Sequence, residues 1–129
     1  KLALREARAV PWLLRGDEVL ASVCEARTFR SRAQGLIGRR VDGVLLIESP
    51  SIHTFGMRRP IDVAFCRPCT PRQRWRRPDG ALELEVECVR SIRPYRISRF
   101  RRRGRFVLEA DVGSFASWGL RIGERVVVR

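Results

Sequence analysis

One histidine, two carboxylates and a methionine are the side chains in the middle of this sequence that could gather to do chemistry. His53 and Met57 lie in Ile52-His53-Thr54-Phe55-Gly56-Met57, Asp62 in Pro60-Ile61-Asp62-Val63-Ala64-Phe65, and Glu109 in Val107-Leu108-Glu109-Ala110. An imidazole titrates nearest neutrality, and a neighbouring carboxylate can orient it or share its proton. His53 with Asp62 or Glu109 is therefore the candidate acid–base pair. Each residue also has a structural reading: His53 bonded to a carbonyl on a half-buried strand, Asp62 satisfying backbone donors in a turn, Glu109 paired with an arginine such as Arg32 or Arg39. With one His in the whole chain, a zinc site of two or three histidines cannot be built within it. Gly-x-Ser-x-Gly, His-Glu-x-x-His and phosphate-binding glycine loops are all missing. These residues favour a non-enzymatic module that binds a ligand or partner through a face carrying His53, Met57, Asp62 and Glu109. They leave the enzyme as an alternative and ask for no cofactor.

Cys66-Arg67-Pro68-Cys69 has the spacing of a redox pair or half a zinc site. It follows a strand, however, whereas a reactive pair places its first Cys at a helix N-terminus, where the thiol pKa falls. Cys24 and Cys88 could complete four thiolates; plain free thiols or a local staple are the simpler readings.

The charge offers the second functional reading. There are 27 basic and 14 acidic residues, a net of +13, and all but Lys1 of the basic residues are Arg. A GC-rich genome produces such a bias by itself, but it does not place the excess. Residues 67–105 hold thirteen arginines against Asp79, Glu83, Glu85 and Glu87, a net of +9. Arg72, Arg74, Arg76 and Arg77 surround Trp75, and Arg101, Arg102 and Arg103 follow Phe100. Arginines with interleaved aromatics suit phosphate contacts and base stacking, so polyanion binding through segments 67–77 and 93–105 is the alternative function.

These groups need a frame, and alternation of apolar and polar residues supplies it. Strands are expected on both sides of a turn at Arg15-Gly16-Asp17, through Val19 to Ala26, over Val44–Ile47, on both sides of Arg58-Arg59-Pro60, over Leu82–Cys88, over Phe106–Ala110, and from Leu120 to Val128. In Leu82–Cys88 the apolar residues alternate with Glu83, Glu85 and Glu87. A helix capped by Thr28 is expected from about 29 to 36, and a helical turn at 113–118. Residues 66–80 and 93–105 read as loops, and Trp12 and Trp118 as core. At 44% hydrophobic, 129 residues suffice for a single domain over 1–129. The expected class is mainly β, a compact β-sandwich or flattened barrel of about seven to eight strands with one short helix and a helical turn.

His53-Thr54-Phe55-Gly56-Met57 followed by Pro60-Ile61-Asp62-Val63-Ala64-Phe65 resembles the central signature of the domain of unknown function 192 family. Arg32–Arg39, Val44–Ile47, Val107–Gly113 and Trp118–Gly123 resemble its flanking blocks in order and spacing, so the likeness covers about 20–128. It implies a β-rich sandwich or flattened barrel found in bacteria and archaea, in a family with no established activity. Two departures stand out. The segment 66–80 is longer than the hairpin expected there, and Gly123-Glu124 stands for a commoner Gly-Asp.

No run approaches the length of a membrane-spanning helix, and Lys1–Arg8 is too charged for a signal peptide. The expected location is the cytoplasm. Because the sequence lacks an initiator Met, a removed export segment is the other reading. The partner is left open between a polyanion and a protein.

Overall fold

The computed structural model describes residues 11–26, 43–49, 51–54, 58–70, 81–99 and 106–129, and of residues 26, 51–53, 98 and 99 the backbone alone. Among them run β1 (Trp12–Arg15), β2 (Glu18–Ala26), β3 (Val44–Glu48), β4 (Ser51–His53), β5 (Ile61–Pro68), β6 (Leu82–Ile92), β7 (Ile97–Arg99), β8 (Phe106–Asp111), helix α1 (Ser114–Trp118) and β9 (Arg125–Val128). Seven strands close into a barrel in the order β1-β2-β3-β8-β5-β6-β9, with β9 pairing back onto β1. The sandwich-or-barrel expectation thus resolves to a closed barrel, which leaves no open edge in the main sheet. Strands β4 and β7 form a separate two-stranded sheet.

In the ring only β1 and β2 are joined by a short turn. Gly16, at φ 59°, takes the left-handed conformation that lets β1 fold directly onto β2. The ring's parallel pair is β2 with β3, and parallel neighbours need a crossover between them. The helix expected at about 29–36 falls in that connection, outside the described residues. At the start of β3, Gly43 packs so tightly on β2 that an added Cβ would meet the Ser22 carbonyl oxygen at 2.5 Å.

The wall has two apolar sides. Leu13, Val23, Val44, Leu46, Ala64, Leu84, Leu108 and Val126 fill the barrel interior with Phe115 of α1. The alternate residues Leu45, Ile47, Ile61, Val63, Phe65 and Val107 make a second buried cluster on the outer side of β3, β8 and β5. This is why β3 and β5 read as nearly unbroken apolar runs.

Several expectations change. β6 carries a bulge opposite Phe65/Cys66, so Leu82, Leu84 and Val86 face inward while Cys88 joins the outer cluster. The expected 66–80 loop begins as strand, because β5 continues to Pro68 and the Cys69 N–H donates to the Glu83 carbonyl at 2.9 Å. Within the expected 93–105 loop lies β7, whose three residues hold a single apolar side chain and leave no alternating pattern to read. The last strand is shorter than expected, since residues 121–124 form a turn. Trp12 is not core: it stands 46% exposed on the outside of β1. Trp118 packs partly buried against the interior cluster.

Candidate functional site

The signature segment reaches the end of the barrel where β5 begins, and two of its polar residues tie down turns there. Asp62 is 5% exposed. Its Oδ1 accepts the Ser91 hydroxyl at 2.8 Å, and its Oδ2 accepts the N–H groups of Gly113 at 3.0 Å and Phe115 at 3.2 Å. Gly113 is the residue preceding α1 and makes no side-chain cap. The Phe115 N–H is one of the donors a capping side chain normally satisfies. A carboxylate from β5 thus supplies the cap that the glycine lacks. Asp62 does satisfy turn donors, but in the β8–α1 corner rather than in its own turn.

Thr54 holds the other turn and is fully buried. Its hydroxyl donates to the Arg93 carbonyl at 2.6 Å and accepts the Arg96 N–H at 2.8 Å. Its backbone N–H donates to the Arg96 carbonyl at 2.9 Å, and its carbonyl accepts the Tyr95 N–H at 3.0 Å. The turn Arg93-Pro94-Tyr95-Arg96 is thereby clasped on both sides. Tyr95, at φ 59°, is the one non-glycine with positive φ among the described residues, a conformation costing about 1–2 kcal/mol for an L-residue. The residue is 61% exposed.

Several arginines share that end of the barrel. Ile61 pairs with Ile92, so Arg58–Pro60 and Arg93 leave the same end of the β5–β6 pair. Arg58, Arg59, Arg93 and Arg96 are all exposed. Arg59 lies 3.8 Å from the Asp111 carboxylate. Among the described residues, Arg58, Arg93 and Arg96 have no carboxylate partner. The Arg96 guanidinium turns back to donate to the Tyr95 carbonyl at 3.3 Å.

Glu109 is elsewhere. It pairs across the ladder with Val63, while Asp62 pairs with Ala110. Cross-strand partners share a side, so Glu109 stands with Val63 and Val107 on the outer side of the wall, 6% exposed, and Asp62 faces inward. The structure does not bring these two carboxylates to one face. The His53 backbone pairs with Ile97; its side chain and all of Met57 lie outside what is described.

A family model described as uncharacterized ACR, DUF192, matches residues 13–128. The chain belongs to this family. No curated protein matches it. Among solved structures, the crystal structure of a Sinorhizobium meliloti 1021 protein described as "a putative transcription regulator" is similar, with a TM-score of 0.65 and 19% identity over 90% of this chain and 89% of that one. Identity that low shows a shared fold and nothing narrower. Within the DUF192 signature, then, Thr54 and Asp62 are anchors of two turns at one barrel end.

The cysteines do not assemble. Cys66 faces the barrel interior, while Cys69 is half-buried just beyond the end of β5. Burial pushes the Cys66 thiol far up from its ordinary range, helped by the charge of Glu87. Burial also raises Cys69, with Glu83 adding to it. Neither is the thiolate that zinc or redox chemistry uses. Cys24 is exposed on β2 and Cys88 packs on the outer cluster, so four thiols do not converge. Among the described residues no three His, Cys, Asp or Glu side chains group as metal ligands.

Of the basic segments, Arg67 pairs with Glu85 at 3.0 Å. Arg72, Arg74, Trp75, Arg76, Arg77, Arg101, Arg102 and Arg103 lie outside the described residues. Thr54 and Tyr95 escaped the sequence reading. The available signal was Arg93-Pro94-Tyr95-Arg96 itself, an aromatic between cations directly after a proline. No helix among the described residues is long and apolar enough to cross a membrane.

Proposed function

We propose that this DUF192 domain is a non-enzymatic binding module that engages an anionic partner through the rim formed by Arg58, Arg93, Tyr95 and Arg96. The observation that carries the reading is the clasp by buried Thr54, which fixes the turn Arg93–Arg96 with its exposed Tyr95 in a conformation the chain would otherwise avoid. Backbone strain of this kind persists where the surrounding structure over-determines it, and it concentrates at binding sites. Uncompensated arginines raise the local concentration of anions. The Asp62 carboxylate already accepts three hydrogen bonds, which leaves it little capacity to orient an imidazole and counts against acid–base use with His53.

Elution from a heparin column by a salt gradient tests the reading. The triple variant Arg58→Gln, Arg93→Gln, Arg96→Gln should elute at clearly lower salt than wild type. The charge-matched control Arg121→Gln, Arg125→Gln, Arg129→Gln should move much less. Equal shifts would mean that net charge alone governs retention, and the rim would have no special part.

A further inference from the structure

Resting on the anionic-partner reading, we infer that the rim's ligand is single-stranded nucleic acid, with an unpaired base stacked on Tyr95 and its neighbouring phosphates held by Arg93 and Arg96. Three observations meet within one turn. Tyr95 is 61% exposed, and its backbone is fixed by the bond to Thr54, so the residue is held at the surface rather than buried. The Arg96 guanidinium is folded onto the Tyr95 carbonyl at 3.3 Å, which holds a cation at the same turn. Ile97, 60% exposed, adds apolar surface one residue further on.

Anionic partners differ in what they can offer such a surface. A duplex presents phosphates but hides its base faces within the stack. An acidic lipid headgroup has charge and no ring, and an acidic protein segment presents carboxylates without a regular flat partner. An unpaired strand alternates phosphate with an accessible aromatic face, and this matches an exposed tyrosine carried in one turn with two exposed arginines. Fixing the ring before binding also lowers the entropy lost on association.

Fluorescence anisotropy with the full chain separates these partners. The probes are a labelled mixed-sequence single strand, as DNA and as RNA, its duplex of equal length, and phosphatidylserine vesicles. Either single strand should bind more tightly than the duplex or the vesicles. Tyr95→Leu should weaken single-strand binding on the order of tenfold, the scale of one lost base–aromatic stack. Tyr95→Phe should bind like wild type, and neither variant should change duplex binding. A duplex or vesicle bound as tightly as the single strand, or equal behaviour of the Leu and Phe variants, would overturn the inference. Retention on heparin that still depends on the rim would then leave the anionic-partner reading standing; loss of that dependence would remove both.

Discussion

Replacing Asp62 with Ala takes one acceptor group away from three donors at once, the Ser91 hydroxyl and the Gly113 and Phe115 N–H groups. The Phe115 amide is buried, so losing its acceptor costs about 1–3 kcal/mol, while Ser91 and Gly113 reach water and lose about 0.5 kcal/mol each; urea unfolding should show a total loss of about 2–4 kcal/mol. Asp62→Asn should lose less. Its carbonyl oxygen can still take the two amides, and its NH2 can donate to the Ser91 oxygen. Equal losses for Ala and Asn would mean the cap is not what Asp62 contributes. Thr54→Val keeps the shape and removes the hydroxyl, so it should cost about 1–3 kcal/mol, with Thr54→Ser close to wild type. Tyr95→Gly should separate stability from binding, since glycine takes φ 59° freely. Its unfolding midpoint should hold or rise, while oligonucleotide affinity falls.

At the scale of elements, β5 and β6 show what the sequence could and could not reveal. Ile61, Val63 and Phe65 on one side of β5 and Asp62 and Ala64 on the other are legible, because strict alternation is the signature of extended chain. The inward run Leu82, Leu84, Val86 is legible for the same reason. The side change at Cys88 is not, because the bulge opposite Phe65/Cys66 depends on pairing with a partner strand rather than on any local residue type. The turn at Arg15-Gly16-Asp17 and the helical turn at 113–118 carry their own glycines and could be read directly. The clasp on Arg93–Arg96 could not, since it joins residues about 40 positions apart, Thr54 to Arg93 and Arg96. Gly43 adds a testable contact between elements. A methyl group there would press on Ser22, so Gly43→Ala should cost about 1–3 kcal/mol by forcing β2 and β3 apart. The interior thiol gives β5 a pH dependence. Burial raises the folded Cys66 pKa, so above about pH 8.5, the ordinary thiol value, the unfolded chain releases a proton that the folded chain keeps. The contribution is therefore complete below that pH, and stability should decline above it by at most about 1.4 kcal/mol per pH unit. Cys66→Val should flatten the decline; an unchanged slope would show that the thiol does not cause it.

For the whole molecule, β9 closes the ring by pairing with both β1 and β6. The barrel end that carries α1 and the Arg93–Arg96 turn is fixed by two residues of one sequence signature. That link from signature to rim makes the rim, rather than the total charge of +13, the proposed seat of binding. The candidates weighed in the sequence lie in the same signature as Thr54 but are its titratable residues, because titratable groups advertise chemistry while a buried hydroxyl does not. The most direct test is the salt dependence of single-strand binding. The slope of log K against log salt reports the number of phosphates neutralised, about 0.7 for each on a single strand. In the Arg58→Gln, Arg93→Gln, Arg96→Gln variant the slope should become shallower by at least about 1.4, the share of the two phosphates assigned to Arg93 and Arg96, and the Arg121→Gln, Arg125→Gln, Arg129→Gln variant should keep the wild-type slope. A rim variant with an unchanged slope would place the phosphate contacts elsewhere and contradict the account.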